Sequence, residues 1–127
     1  MRLIHAQITL ETDKPPRLEI DVEGLIVGDV NIHVFIDKAL FFRVVAEDGN
    51  AVGGFLPLYE GVILWLLKAA DTGHVEVVVR RHYGGRVDAF EFKTSVGKEF
   101  KKAVRAILLP DTHHDRGLNG LYGFFGL

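Results

Sequence analysis

Cysteine is absent from the 127 residues, which removes disulfides, thiolate metal ligation and a cysteine nucleophile. Serine occurs once, at Ser95. It stands just ahead of an amphipathic run, where a helix N-cap is its expected role, so a serine hydrolase is disfavoured. Long hydrophobic runs are missing too. The longest fully apolar stretch, 62–67, falls far short of the ~20 residues that a membrane helix needs. The opening MRLIHAQITLE alternates polar with apolar residues instead of forming the continuous block of a secretion signal. Nor does one sign of charge dominate. Fifteen Lys and Arg face seventeen Asp and Glu, a net charge of −2, so no global pull draws the chain to nucleic acid or anionic lipid. The expectation is a soluble, cytoplasmic protein that binds no membrane.

Cofactor loops are also lacking. No dinucleotide fingerprint follows a strand pattern. The run Thr94-Ser95-Val96-Gly97-Lys98 superficially suggests a phosphate loop, but its upstream glycine position is Phe92 and Glu99 follows the lysine, so the match fails. No cofactor is expected.

What is present is a rod of apolar residues. Residues 57–73, PLYEGVILWLLKAADTG, begin with a proline suited to a first helical turn and end with a glycine suited to the position past the last. At the helical period Glu60, Gly61, Leu64, Lys68 and Asp71 share one narrow arc, and the rest of the circumference is apolar, with Trp65 in the middle. Such a helix is buried on most sides and must be wrapped by other elements.

Those elements read as strands. Alternation of period two places Ile4, Ala6, Ile8 and Leu10 on one face of 2–12, and Leu18, Ile20 and Val22 on one face of 17–23. It places Val30, Ile32, Val34 and Ile36 opposite Asn31, His33 and Asp37, then Leu40, Phe42, Val44 and Ala46 beyond a tight turn at Asp37-Lys38. Asp48-Gly49-Asn50 signals another turn, and AVGGF at 51–55 reads as a short irregular edge piece. After the helix, 74–82 and 86–94 form a hairpin closed by Tyr83-Gly84-Gly85, with a slip of alternation near Ala89 that suggests a bulge. A second helix over 96–109 carries Phe100, Ala103, Val104, Ile107 and Leu108 as its apolar stripe, and Pro110 stops it. The order is ββββ-α-ββ-α, about six strands. The expected fold is a single α+β domain spanning 1–127, an antiparallel sheet packed around a buried central helix and a second amphipathic one.

Four groups of residues could carry function. Glu19, Asp21 and Glu23 point from one strand face, with Asp29, Asp37 and Glu47 on or beside neighbouring strands. An acidic face steers a basic partner, though it is also what the wet side of a one-sided sheet looks like. The charge is uneven in the same sense: residues 1–57 carry five basic and nine acidic side chains, residues 58–127 ten and eight. Arg80, Arg81 and Arg86 surround the hairpin turn. Lys98, Lys101, Lys102 and Arg105 fall within about 100° of helix surface at the 3.6-residue period. Together they could meet phosphates, but the net charge is negative and the nearby aromatics Phe90, Phe92 and Phe100 belong to the core pattern. A solvated helix face is the plainer explanation.

Residues 111–127 form a His/Asp loop followed by a Gly/aromatic segment. His113, His114 and Asp115 are metal-ligand types. However, adjacent histidines point apart and no second cluster supplies the remaining ligands, which argues against a metal centre. In GLNGLYGFFGL the glycines recur at Gly117, Gly120, Gly123 and Gly126, and Tyr122, Phe124 and Phe125 lie between them. So apolar a segment must bury itself, either across its own sheet, or on a partner protein or a second copy. The six histidines, His5, His33, His74, His82, His113 and His114, could each act as a base beside a carboxylate such as Glu76 or Asp37, but no pairing stands out in the sequence.

The leading functional expectation is a non-enzymatic protein-binding module. A toxin-neutralising immunity protein of the kind found among small bacterial α+β proteins, acting through Glu19, Asp21 and Glu23, is one concrete form, by analogy of fold alone. The alternatives are a small-molecule or metal-dependent enzyme or binder with a pocket between sheet and helices, and a nucleic-acid binder using the basic helix and hairpin.

Overall fold

A computed structural model describes residues 1–108. The order of elements is β1 (Arg2–Thr9), β2 (Arg17–Glu23), β3 (Val30–Ile36), β4 (Ala39–Ala46), β5 (Ala51–Pro57), α1 (Glu60–Thr72), β6 (His74–Tyr83), β7 (Arg86–Ser95) and α2 (Lys98–Leu108). The α+β class and the buried helix are as the sequence indicates. The strands number seven among the described residues and divide into two sheets, one ordered β1-β2-β6-β7 and the other β3-β4-β5. All pairings are antiparallel except β2 with β6, which run parallel.

α1 forms because its apolar side chains need a continuous sheath. Trp65 is fully buried, with Val62, Leu66, Ala69 and Ala70 around it. Its indole Nε1 donates to the carbonyl of Arg17 at 3.0 Å, so the one polar atom of the ring is satisfied by the start of β2. Glu60, Leu64 and Asp71 face outward, the arc the helical period predicts. Gly73 closes the helix at φ 84°, donating its N–H to Ala69, the left-handed conformation that glycine adopts without cost.

The inner faces of both sheets meet this helix in one core. Leu18, Ile20, Val22, Val75, Val77 and Val79 come from the four-stranded sheet, and Leu40, Phe42 and Val44 from the three-stranded one. α2 adds Phe100 and Val104. The sheets adjoin where β1 meets β5. A Cβ built on Gly54 would stand 2.7 Å from Phe42 Cζ and 2.8 Å from Leu3 Cδ2, so any larger residue there would have to displace the Phe42 ring and Leu3.

Five local expectations need correction. β1 carries its bulge at Ile4, between Leu3 and His5. The extra residue shifts the face, so Leu3, Ala6 and Ile8 pack on the core while Ile4 is exposed. β7, by contrast, pairs without interruption from Arg86 to Ser95, and no bulge lies at Ala89. Residues 51–57 are a regular strand in register with β4, from Val45↔Ala51 to Ala39↔Pro57. Pro57 therefore ends β5 instead of opening α1. Ser95 stays in the ladder opposite His74, and Val96 donates to the carbonyl of Gly73, which keeps the serine from capping α2; Gly97 takes the first helical bond, from Lys101.

Candidate binding surface

The outer face of the four-stranded sheet gathers the acidic residues of β2 with charges from its neighbours. Parallel pairing sets Asp21 opposite Arg80 and Glu23 opposite His82, and antiparallel pairing sets Gln7 opposite Glu19. Arg80 Nη2 donates to Glu19 Oε1 at 2.5 Å, and Gln7 Nε2 to Glu19 Oε2 at 2.8 Å. Arg80 Nη1 reaches Asp21 at 3.5 Å, and His82 Nε2 lies 2.8 Å from Asp21 Oδ1. Arg17 stands 3.7 Å from Glu19, and Arg2 donates to Glu23 at 2.5 Å. The hydrogen bond from Gln7, reinforced by Arg80 and Arg17 against partial burial, holds the Glu19 carboxyl below its ordinary value of 4.5. Each of the three carboxylates already faces a cation, and the face is internally compensated.

The His82–Asp21 pair is the one histidine–carboxylate contact among the described residues. Ser95, the sole serine, lies opposite His74 at the far end of the same sheet from His82, so it completes no triad with this pair. Among the described residues no three His, Asp or Glu side chains group as metal ligands. His113, His114 and Asp115, like Tyr122, Phe124 and Phe125, lie outside the described residues.

The cations do not form one patch. Arg80 belongs to the charged outer face. Arg81, its neighbour in a strand of alternating sides, turns to the other. There it binds Asp88 and the carbonyl of Ile26 and lies 5.9 Å from the Phe90 ring centroid. Arg86 follows the turn at Gly84-Gly85, where φ values of 57° and 78° mark a type I′ hairpin. Lys98, Lys101, Lys102 and Arg105 are exposed on α2, beyond the other end of β7. Ten extended residues separate the two groups, roughly 30 Å.

The outer face of the three-stranded sheet is of another kind. Register places Phe35 opposite Phe41 and Phe41 opposite Phe55, a row running across all three strands. The rings of Phe35 and Phe41 are stacked, centroids 5.3 Å apart, and Phe55 follows at 5.9 Å. Phe35 is 48% exposed and Phe55 61%. The next row is His33, Arg43 and Gly53, and the one after it Asn31, Val45 and Ala51. Neither row carries an acid. Phe35 also lines a groove of ≈ 870 Å³ between β3 and α2, where Val34, Ile36, Ala103 and Ala106 stand together with the charged Lys98, Glu99 and Lys102. Phe35 thus joins the aromatic row to a groove of mixed polarity beside α2.

Alternation alone does not single out these phenylalanines, because period two identifies a strand by its inward residues. The available signal was the parity: Phe35 and Phe41 stand at positions that alternation reserves for polar side chains, on adjacent strands. Comparison with protein-family models, with curated proteins and with solved structures finds no match to this chain.

Proposed function

We propose that the chain is a non-enzymatic binding module and that it binds through the Phe35–Phe41–Phe55 face. The supporting observation is the row of three rings on adjacent strands, with Phe35 and Phe55 exposed on either side of a half-buried Phe41. Large aromatic side chains left in water cost free energy that burial in a complex recovers, and aromatic anchors dominate binding interfaces. Glu19, Asp21 and Glu23 support this role less well. Each would have to exchange a cation of its own chain for one of the partner's, and such an exchange between compensated charges yields little net affinity. An immunity-type module would accordingly hold its toxin mainly by apolar contact.

The test places a photo-crosslinking phenylalanine analogue at Phe55 in one variant and at His5, on the charged face, in another. Both are irradiated in cells of the source organism. An adduct of higher mass at position 55, lost when Phe35→Ser is added, is the expected result. An adduct at position 5 alone would move the binding surface to the charged face. Adducts at neither position would defeat the binding-module reading.

A further inference from the structure

We infer that the Phe35–Phe41–Phe55 face takes single-stranded nucleic acid, with bases stacked on its rings and phosphates held by Arg43, Lys98 and Lys102. The inference rests on that face being the binding surface, and it gives the chemical class of what lies there.

The rings alone would suit any apolar partner; their setting narrows the choice. A hollow of ≈ 470 Å³ opens on this face, lined by Phe35, Phe41, Phe55, Arg43, Ala51 and Gly53. Gly53 pairs with Arg43 and offers no side chain of its own, so a flat group can lie close to the backbone there. Arg43 and His33 form the row beside the rings, about 7 Å along the strands, and both are exposed. Past Phe35, the groove beside α2 adds the exposed Lys98 and Lys102.

Acids are fewer here. Glu99 stands in the groove with the two lysines, and the turn after β3 contributes Asp37 and Lys38, of opposite sign. The balance around the rings is therefore positive although the whole chain carries −2. Glu19, Asp21 and Glu23 belong to the other sheet and are matched by their own cations. What is left of their field fades beyond a Debye length of about 8 Å.

An acidic peptide would also meet these cations, but peptide anchors draw their affinity from well-packed pockets. The hollow is bordered by a guanidinium, Ala51 and a bare glycine, not by large aliphatic side chains. A single strand matches it better, because every unit combines a flat π-face with one negative charge. A duplex keeps its bases stacked on each other and leaves the rings unused.

The test titrates the full chain into fluorescently labelled oligothymidylate and oligouridylate of about twelve residues, within the site size of a small domain. Saturable binding of one or both at about 50 mM salt is expected, and the tighter of the two tells DNA from RNA; binding of neither overturns the inference. With three phosphate contacts, log K should fall against log salt with a slope near −2, and Arg43→Ala should reduce that slope by about 0.7. Phe55→Leu keeps the site apolar but removes the ring, and should weaken binding about tenfold, whereas Phe55→Trp should preserve it. Equal binding by parent and Phe55→Leu, or by a duplex of the same length, overturns the inference. In cells, the adduct at position 55 should shrink on nuclease treatment. An adduct unchanged by nuclease makes the partner a protein, which ends this inference and leaves the binding surface standing.

Discussion

On the outer face of β1, β2 and β6, Glu19, Asp21 and Glu23 each meet a cation from their own or an adjacent strand. On the outer face of β3, β4 and β5, Phe35, Phe41 and Phe55 form a row of rings in contact with one another. Both faces belong to sheets that bury their other side in the same core, so packing against α1 does not explain the difference. A wet sheet face needs polar side chains and nothing more specific. The charged face satisfies that need with cross-strand pairs that also help hold β2 to β6. The aromatic face departs from it, and departures from what folding requires are where function is found.

That contrast can be broken or sharpened by experiment. Trp65→Ala should have the largest effect, a loss of about 3–5 kcal/mol from the buried aromatic and the cavity it leaves. Because both sheets share the helix, urea unfolding followed by amide signals of β4 and of β6 should remain one transition; two midpoints would show the sheets to be separate cooperative units. Next, Arg80→Ala should cost about 1 kcal/mol, falling with added salt, since the pairs it makes are partly exposed. Phe35→Ser should change stability by less than about 0.5 kcal/mol, as befits a half-exposed site, while abolishing the crosslink from position 55. If Arg80→Ala abolishes the crosslink instead, the roles of the two faces are exchanged.

The smallest effect concerns pH. Glu19 is held below 4.5 in the folded chain, so its contribution is fully present above that value and is lost as pH falls through the lower folded value. The gap in melting temperature between the parent chain and Glu19→Gln should be widest near neutrality and close below pH 4.5. A gap that stays constant on acidification would show that the hydrogen bonds from Gln7 and Arg80 do not depend on the carboxylate's charge.

Much of this fold was legible in the residue pattern. The arc of α1, the inward residues of β2, β3 and β4, the glycine turn of the hairpin and the stripe of α2 all follow from periodicity, because each reflects contact with one core. The bulge at Ile4 was not, since an inserted residue leaves a pattern that still alternates. The division into two sheets and the parallel β2–β6 pair were hidden as well, because alternation records which side of a strand is buried and not which strand lies beside it. For the site, the same limit applied to charges. Glu19 and Arg80 are distant in sequence, and only the pairing of β2 with β6 shows that they neutralise each other. The Phe35 row was visible one strand at a time, but its alignment depends on register.

The parallel pairing also bears on how the molecule comes together. β3, β4 and β5 are joined by short turns and can assemble from neighbouring residues, whereas Arg17 pairs with Glu76 only after the whole intervening meander and α1 have been folded back. Late closure of so long a loop slows the reaction, so a chain still being synthesised would hold β2 with an unpaired edge until β6 emerges. Kinetic φ-values near zero across β2 and β6, with higher ones in β4, would mark the meander as the nucleus and the four-stranded sheet as the last piece to form.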